Sequence, residues 1–232
     1  MKIASRRADT AGQDDLPGKS AKASLHPAFD RNDQFEKRRL AMLQTAIRAF
    51  NRYGFYSTSM DAIAAELGLT KGTLYHYFAS KTELLYECLL QAAEEGRTIA
   101  EKAERGGGSG VEKLERFLRL QFRTLAGSSG SSWLMTDISA LSRHQQVEVR
   151  KRSRLVDAMV QKFIADGVAD GSIEPIEPKI AEFFLMGALN WLPRWYSPEG
   201  SMSSDELATI FIRIALGGLR SKDATAEPKS AT

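Results

Sequence analysis

From Leu40 onward, apolar residues recur at the spacing of one helix face. Leu40, Leu43, Ile47 and Phe50 follow one another at intervals of three, four and three, which predicts an amphipathic helix that Gly54 closes as a C-terminal cap. Thr58 with Asp61 has the form of a capping box, and Ser59 is an equally good N-cap. A second helix then runs from about Met60 to Leu67, burying Ile63, Ala64 and Leu67, and Gly68 ends it. Thr70 caps a third helix over about Lys71 to Phe78, and Ser80 with Glu83 opens a fourth that continues to about Glu104.

The glycine-rich GGGSG at 106–110 reads as a flexible break. A phosphate loop would need a strand before it and Lys-Ser/Thr after it, and neither is there. Beyond it the pattern predicts helices near 111–126, 133–143, 146–170, 177–192 and 204–219, separated by GSSGSS (127–132), DGSIEPIEP and SPEGSMSS. No stretch alternates with period two, so the fold class is all-α. Residues 1–33 and 221–232 lack periodicity and are expected to be a disordered N-terminal tail and a flexible C-terminal tail. Residues 34–80 form one module and 81–220 a second, helical one.

The first module ends in two short helices joined by Gly68-Leu69-Thr70, the outline of a helix-turn-helix. Its third helix carries four consecutive rings, Tyr75, His76, Tyr77 and Phe78, which no single face can bury. Leu74 and Phe78, four apart, share the inward face. Thr73, His76 and Tyr77 point elsewhere, with Tyr75 on the flank. Beside Lys71, these rings suit a face that meets phosphate oxygens, sugars and thymine methyls. Gly72 leaves the helix start bare, so that backbone N–H groups can approach a phosphate. Lys81, at the start of the fourth helix, is within reach of the same strand.

Charge sharpens this picture. The whole chain carries +3, and the segment from Gln34 to Tyr86 holds seven Lys/Arg against four Asp/Glu, so this module accounts for the entire excess. Lys2, Arg6 and Arg7 of the tail can brush DNA phosphates or simply be solvated. Cys88 is alone, which excludes an intramolecular disulfide, and it is read as a small buried apolar residue. The N-terminus lacks the apolar stretch of a signal peptide, and no apolar run is long enough to span a bilayer, so a cytoplasmic location is expected. The three histidines (26, 76 and 144) are scattered and no nucleophile–base or metal spacing appears, so an enzyme, a cofactor and a metal are not expected.

The stretch RRLAMLQTAIRAFNRYGFYSTSMDAIAAELGLTKGTLYHYFASKTELLYECL closely resembles the DNA-binding domain of TetR-family transcriptional regulators. The resemblance rests on Ala46, Phe50, Gly54 and Phe55, on Thr58-Ser59-Met60 and Ile63-Ala64, on the run from Gly68 to Phe78, and on Ser80-Lys81 and Leu84-Leu85. It implies a homodimer presenting two reading heads to a partly palindromic double-stranded operator. Carried over by position, Lys71, Gly72, Thr73, Tyr75, His76 and Tyr77 face DNA, while Thr58 and Lys81 grip phosphates.

In this family the C-terminal helices bind a small ligand that alters the spacing of the heads. Here helix 177–192 contains IAEFFLMGALNWL, apolar nearly all the way round, and helix 204–219 carries Leu207, Ile210, Phe211, Ile214 and Leu219 with Gly217-Gly218 for close approach. The two are expected to form the dimer interface, through Phe184, Ala188, Leu207, Phe211, Ile214, Gly217 and Gly218; an internal core is the other reading. Trp133, Met135, Met159, Phe163, Phe183, Met186, Trp191 and Trp195 are candidates to line an apolar cavity, or are simple core. NWLPRWYSPEGSMS is similar to the matching segment in regulators of fatty-acid, sterol and aromatic-acid breakdown, several of which respond to acyl-CoA. Arg194 and the cations of 150–154 would serve its phosphates, although the latter also fit a solvated helix face. The expected function is a ligand-released repressor of catabolic genes; an effector-independent DNA-binding protein is the rival.

Overall fold

The computed structural model describes residues 27–126, 138–192, 195–197 and 200–219. Three helices build the head: α1 (Pro27–Tyr53), α2 (Met60–Glu66) and α3 (Lys71–Tyr77). Five build the body: α4 (Lys81–Arg105), α5 (Gly110–Ala126), α6 (Arg143–Ala169), α7 (Pro178–Trp191) and α8 (Ser204–Gly217). There is no strand among the described residues, as the periodicity requires.

The helix starts follow the side chains that precede them. Ser59, Thr70 and Ser80 accept from the backbone N–H of Ala62, Thr73 and Glu83, and Ser142 and Ser203 form full capping boxes with Gln145 and Glu206. Three differences from the sequence reading stand out. First, α1 reaches back to Pro27, inside the segment expected to be a tail; a proline fits a first helical turn, where the N–H has no partner to lose. Second, residues 133–137 of the helix expected over 133–143 lie outside the described residues, the described part holds a 3-10 turn, Ile138–Ala140, and α6 starts at Arg143 because Ser142 caps it there. Third, GGGSG is a packed turn. Gly107 and Gly108 take positive φ, and a Cβ on Gly110 would sit 2.0 Å from the backbone nitrogen of Gly167.

Two cores result. Leu43, Ile47, Phe50, Ile63, Leu74 and Phe78 fill the head, and Leu114, Phe117, Phe163, Leu185, Leu189 and Leu216 fill the body. Helix α4 belongs to both: Leu84, Leu85 and Cys88 lie in the head core, Ile99, Ala100 and Ala103 in the body core. Leu141 and Val149, before and within the start of α6, also pack into the head core, and Gln145 donates to Glu83 on α4 at 3.2 Å.

Candidate functional site

Helix α3 is anchored by Leu74, fully buried, and by Phe78 just beyond it. That anchoring turns Lys71, Gly72, Tyr75 and His76 to solvent, with Tyr75 41% exposed. Lys71 holds Asp61 of α2 at 2.9 Å, and its ammonium lies 5.9 Å from the Tyr75 ring. Both partners of this ion pair are more than half exposed, so it contributes little and yields readily to a phosphate. Thr73 is half-buried, and its hydroxyl lies 2.9 Å from that of the N-cap Thr70. A Cβ on Gly72 would meet nothing nearer than the Thr70 hydroxyl at 3.9 Å, so the fold itself does not demand a glycine there. What the glycine supplies is a bare outer surface at the start of the helix.

Three residues expected on this face are engaged elsewhere. Thr58 is only 3% exposed; its hydroxyl donates to the carbonyl of Gly54 at 2.8 Å and lies 3.3 Å from that of Ala49, so it closes the α1–α2 loop and is turned away from any phosphate. Tyr77 is half-buried and stacks on Phe35 of α1, centroids 4.5 Å apart and planes 18° from parallel. The sequence reading missed this because α1 was expected to be shorter at its start. The Lys81 ammonium donates to the carbonyls of Phe55, Tyr56 and Thr58 at 3.0, 3.4 and 2.9 Å, and lies 4.5 Å from the Phe55 ring. Its three N–H groups are thereby used, and it straps the α1–α2 loop to α4. Lys81→Met is expected to lower head stability by on the order of 2 kcal/mol, read by denaturant unfolding, while leaving the slope of log affinity for DNA against log salt unchanged. A slope shallower by about one or two would return Lys81 to the phosphates.

In the body, a cavity of about 100 Å³ opens between four helices. Ala92, Ala93 and Gly96 of α4, Gln121 of α5, Ser153, Val156 and Asp157 of α6 and Met186 of α7 line it. Gln121 is fully buried. Burial pushes the Asp157 carboxyl up from its ordinary range, and Arg154 one turn earlier pulls it back. Behind it, Glu182 of α7 is 2% exposed, 3.4 Å from the Gln161 amide; burial first and the nearby Asp157 second push it up as well. Among the described residues no lysine, arginine or histidine lines the cavity.

Residues 42–88 match the model of bacterial regulatory proteins of the tetR family, and residues 107–219 match a tetracyclin repressor-like C-terminal domain. The uncharacterized HTH-type transcriptional regulator YfiR of Bacillus subtilis is 30% identical over 158 residues, covering 65% of this chain and 76% of the relative. The chain belongs to the TetR family. The HTH-type transcriptional repressor KstR2 of Mycolicibacterium smegmatis is 27% identical over 197 residues, 83% of this chain and 95% of that one. Among solved structures, AibR in complex with isovaleryl coenzyme A and operator DNA superposes with a TM-score of 0.66 at 21% identity, covering 76% of this chain and 97% of that one. The two relatives, YfiR and KstR2, are by name regulators of transcription, not enzymes.

Within this TetR-family body, the expected ligand residues separate. Met186 lines the cavity. Phe163 is fully buried against Phe117 in the core, and Met159 packs beside it. Phe183, Trp191 and Trp195 are each more than half exposed, so they do not line it. Trp133, Met135 and Arg194 lie outside the described residues. Arg150, Lys151, Arg152 and Arg154 sit on the solvated face of α6, with Arg152 paired to Glu148 at 2.9 Å.

The expected interface residues separate too. Phe184, Ile214, Gly217 and Gly218 are exposed and Ala188 is partly so, whereas Leu207 is core and Phe211 packs on Phe122 at 5.1 Å. Helix α7 is thus apolar on two sides, one covered by α6 and one bare. Ile180, exposed beside Phe183 and Phe184, extends the bare side.

The polar lining, Gln121, Ser153 and Asp157, was not foreseen. A sequence signal existed for Gln121: it interrupts the buried stripe Leu114, Phe117, Leu118, Phe122 on α5, where a polar residue needs a reason.

Proposed function

We propose that the chain is a homodimeric repressor that reads a partly palindromic operator through α3 and leaves it when a small ligand enters the α4–α7 cavity. The single observation that carries the DNA half is the split on α3: Leu74 and Phe78 are sealed in the head while Lys71, Tyr75 and His76 stand in solvent beside a bare Gly72. In this reading Lys71 holds a phosphate, and Thr73, Tyr75 and His76 meet base edges and sugars. The apolar surface of α7 and α8, centred on Phe184 and Ile214, pairs with its own copy and sets the two heads one helical repeat or so apart. The relative named as a repressor supports the sign of regulation.

Ligand gating needs only that the ligand prefer the conformation whose heads no longer fit the operator. The acyl-CoA class draws support from the AibR complex but not from the cavity, whose described lining offers CoA phosphates no cation.

The test is an operator selected from random duplexes, followed by salt titration of variants. His76→Ala is expected to weaken the selected site roughly ten- to a hundredfold with little effect on random DNA. Lys71→Ala is expected to weaken both and to make the salt slope shallower by about two for the dimer. Equal losses on all sequences for His76→Ala would count against base reading.

A further inference from the structure

We propose that the cavity selects a small ligand whose head is a cation or a neutral N–H donor, an aliphatic amine being the simplest, and that Asp157 is the group that receives it. This rests on the ligand-gated reading above and specifies the ligand's chemistry.

The lining divides into an apolar wall and a polar end. Ala92, Ala93, Val156 and Met186 offer only carbon and sulfur, and Gly96 offers backbone. The polar end holds Asp157, Gln121 and Ser153, one carboxylate with an amide and a hydroxyl that each both donate and accept. The charges around it are lopsided. Glu182, buried behind Asp157, adds a second acid close enough for the two to act on each other. Of the cations on neighbouring positions, Arg97, next to Gly96, is clasped by Glu94 and Glu101, and Arg152 by Glu148; Arg154 and Lys179 are exposed and act on Asp157 and Glu182 only from the solvent side, without lining the cavity. An anionic head placed at this end would face carboxylates in a partly dehydrated site, whereas a cation or N–H group would relieve them.

Size narrows the class further. A cavity of about 150 Å³ holds benzene, so about 100 Å³ takes a group of roughly four to six non-hydrogen atoms. A short aliphatic amine is of that size.

The test uses the full-length dimer, thermal unfolding and operator release, with four probes matched in chain length: butylammonium, butan-1-ol, butyrate and butyryl-coenzyme A, at constant ionic strength. Butylammonium is expected to raise Tm and release operator at concentrations at least tenfold below those of butyrate. Asp157→Asn is expected to weaken the butylammonium response tenfold or more with unchanged far-UV circular dichroism. Ala93→Phe, which fills the apolar wall, is expected to abolish it. The proposal is overturned if butyrate or butyryl-coenzyme A acts as well as the amine, if Asp157→Asn responds like the parent, or if the amine has no effect. Release by butyrate or butyryl-coenzyme A would leave ligand gating standing and remove only the amine assignment. Operator binding that no probe alters, and that Ala93→Phe leaves intact, would remove both.

Discussion

Ile214→Glu is expected to give a folded monomer that has lost operator affinity on the order of a hundredfold or more. Ile214 is 69% exposed within the subunit and Phe184 65%, so a charge at 214 disturbs no intrachain packing. Buried between two copies, however, each glutamate would lie without a partner against apolar surface, a cost of several kcal/mol for the pair. The expected readouts are a halved mass by sedimentation, an unchanged helical circular dichroism spectrum, and residual DNA binding equal to that of one isolated head. A variant that stays dimeric would show that these helices pair with something else.

The second large effect is on stability. Gly110→Ala would put its Cβ 2.0 Å from the Gly167 nitrogen, 2.3 Å from its Cα and 2.5 Å from the Phe163 carbonyl oxygen. These are backbone atoms, so no side chain can swing aside; α5 must lift from α6. Lifting also draws on the bonds that finish the α5 start, from Gly110 N–H to the Asp170 carboxylate at 2.7 Å and from Val111 N–H to the Ser172 hydroxyl at 3.2 Å. A loss of about 3 kcal/mol is expected, a fall in Tm of roughly 6–12 °C for a chain of this size. Gly72→Ala is the control: its Cβ would meet only the Thr70 hydroxyl, at an ordinary contact distance of 3.9 Å, and the substitution should leave Tm unchanged or slightly higher. Equal melting of the two variants would mean that the α5–α6 contact is looser than described.

The helices of the head were legible because their determinants are local. Caps at Ser59, Thr70 and Ser80 and the four-residue spacing of Leu74 and Phe78 are written in adjacent positions. What escaped were partners distant in sequence: Phe35 under Tyr77, three carbonyls around Lys81, the Gly167 backbone against Gly110. No periodicity announces which lysine has its N–H groups spoken for. The body shows the same limit more sharply. Aromatic and sulfur-bearing residues were expected around the ligand, yet Phe183, Trp191 and Trp195 face out, and the cavity is edged by small residues on α4, one polar group on α5 and two on α6. A helix that is apolar all round says that two sides will be covered, not which side meets its own chain.

Helix α4 has Leu85 and Cys88 fixed in one core and Ile99 and Ala100 in the other, with Ala92, Ala93 and Gly96 forming cavity wall between them. At about 1.5 Å of rise per residue, the wall stands little more than one or two helical turns from the nearest head anchor, too short a span of unbroken helix to absorb a displacement by bending. In the proposed gating, occupancy of the body would therefore be geared directly to the tilt of the head. Mutants that bind DNA yet ignore their inducer should map to the middle of this one rod as readily as to the pocket.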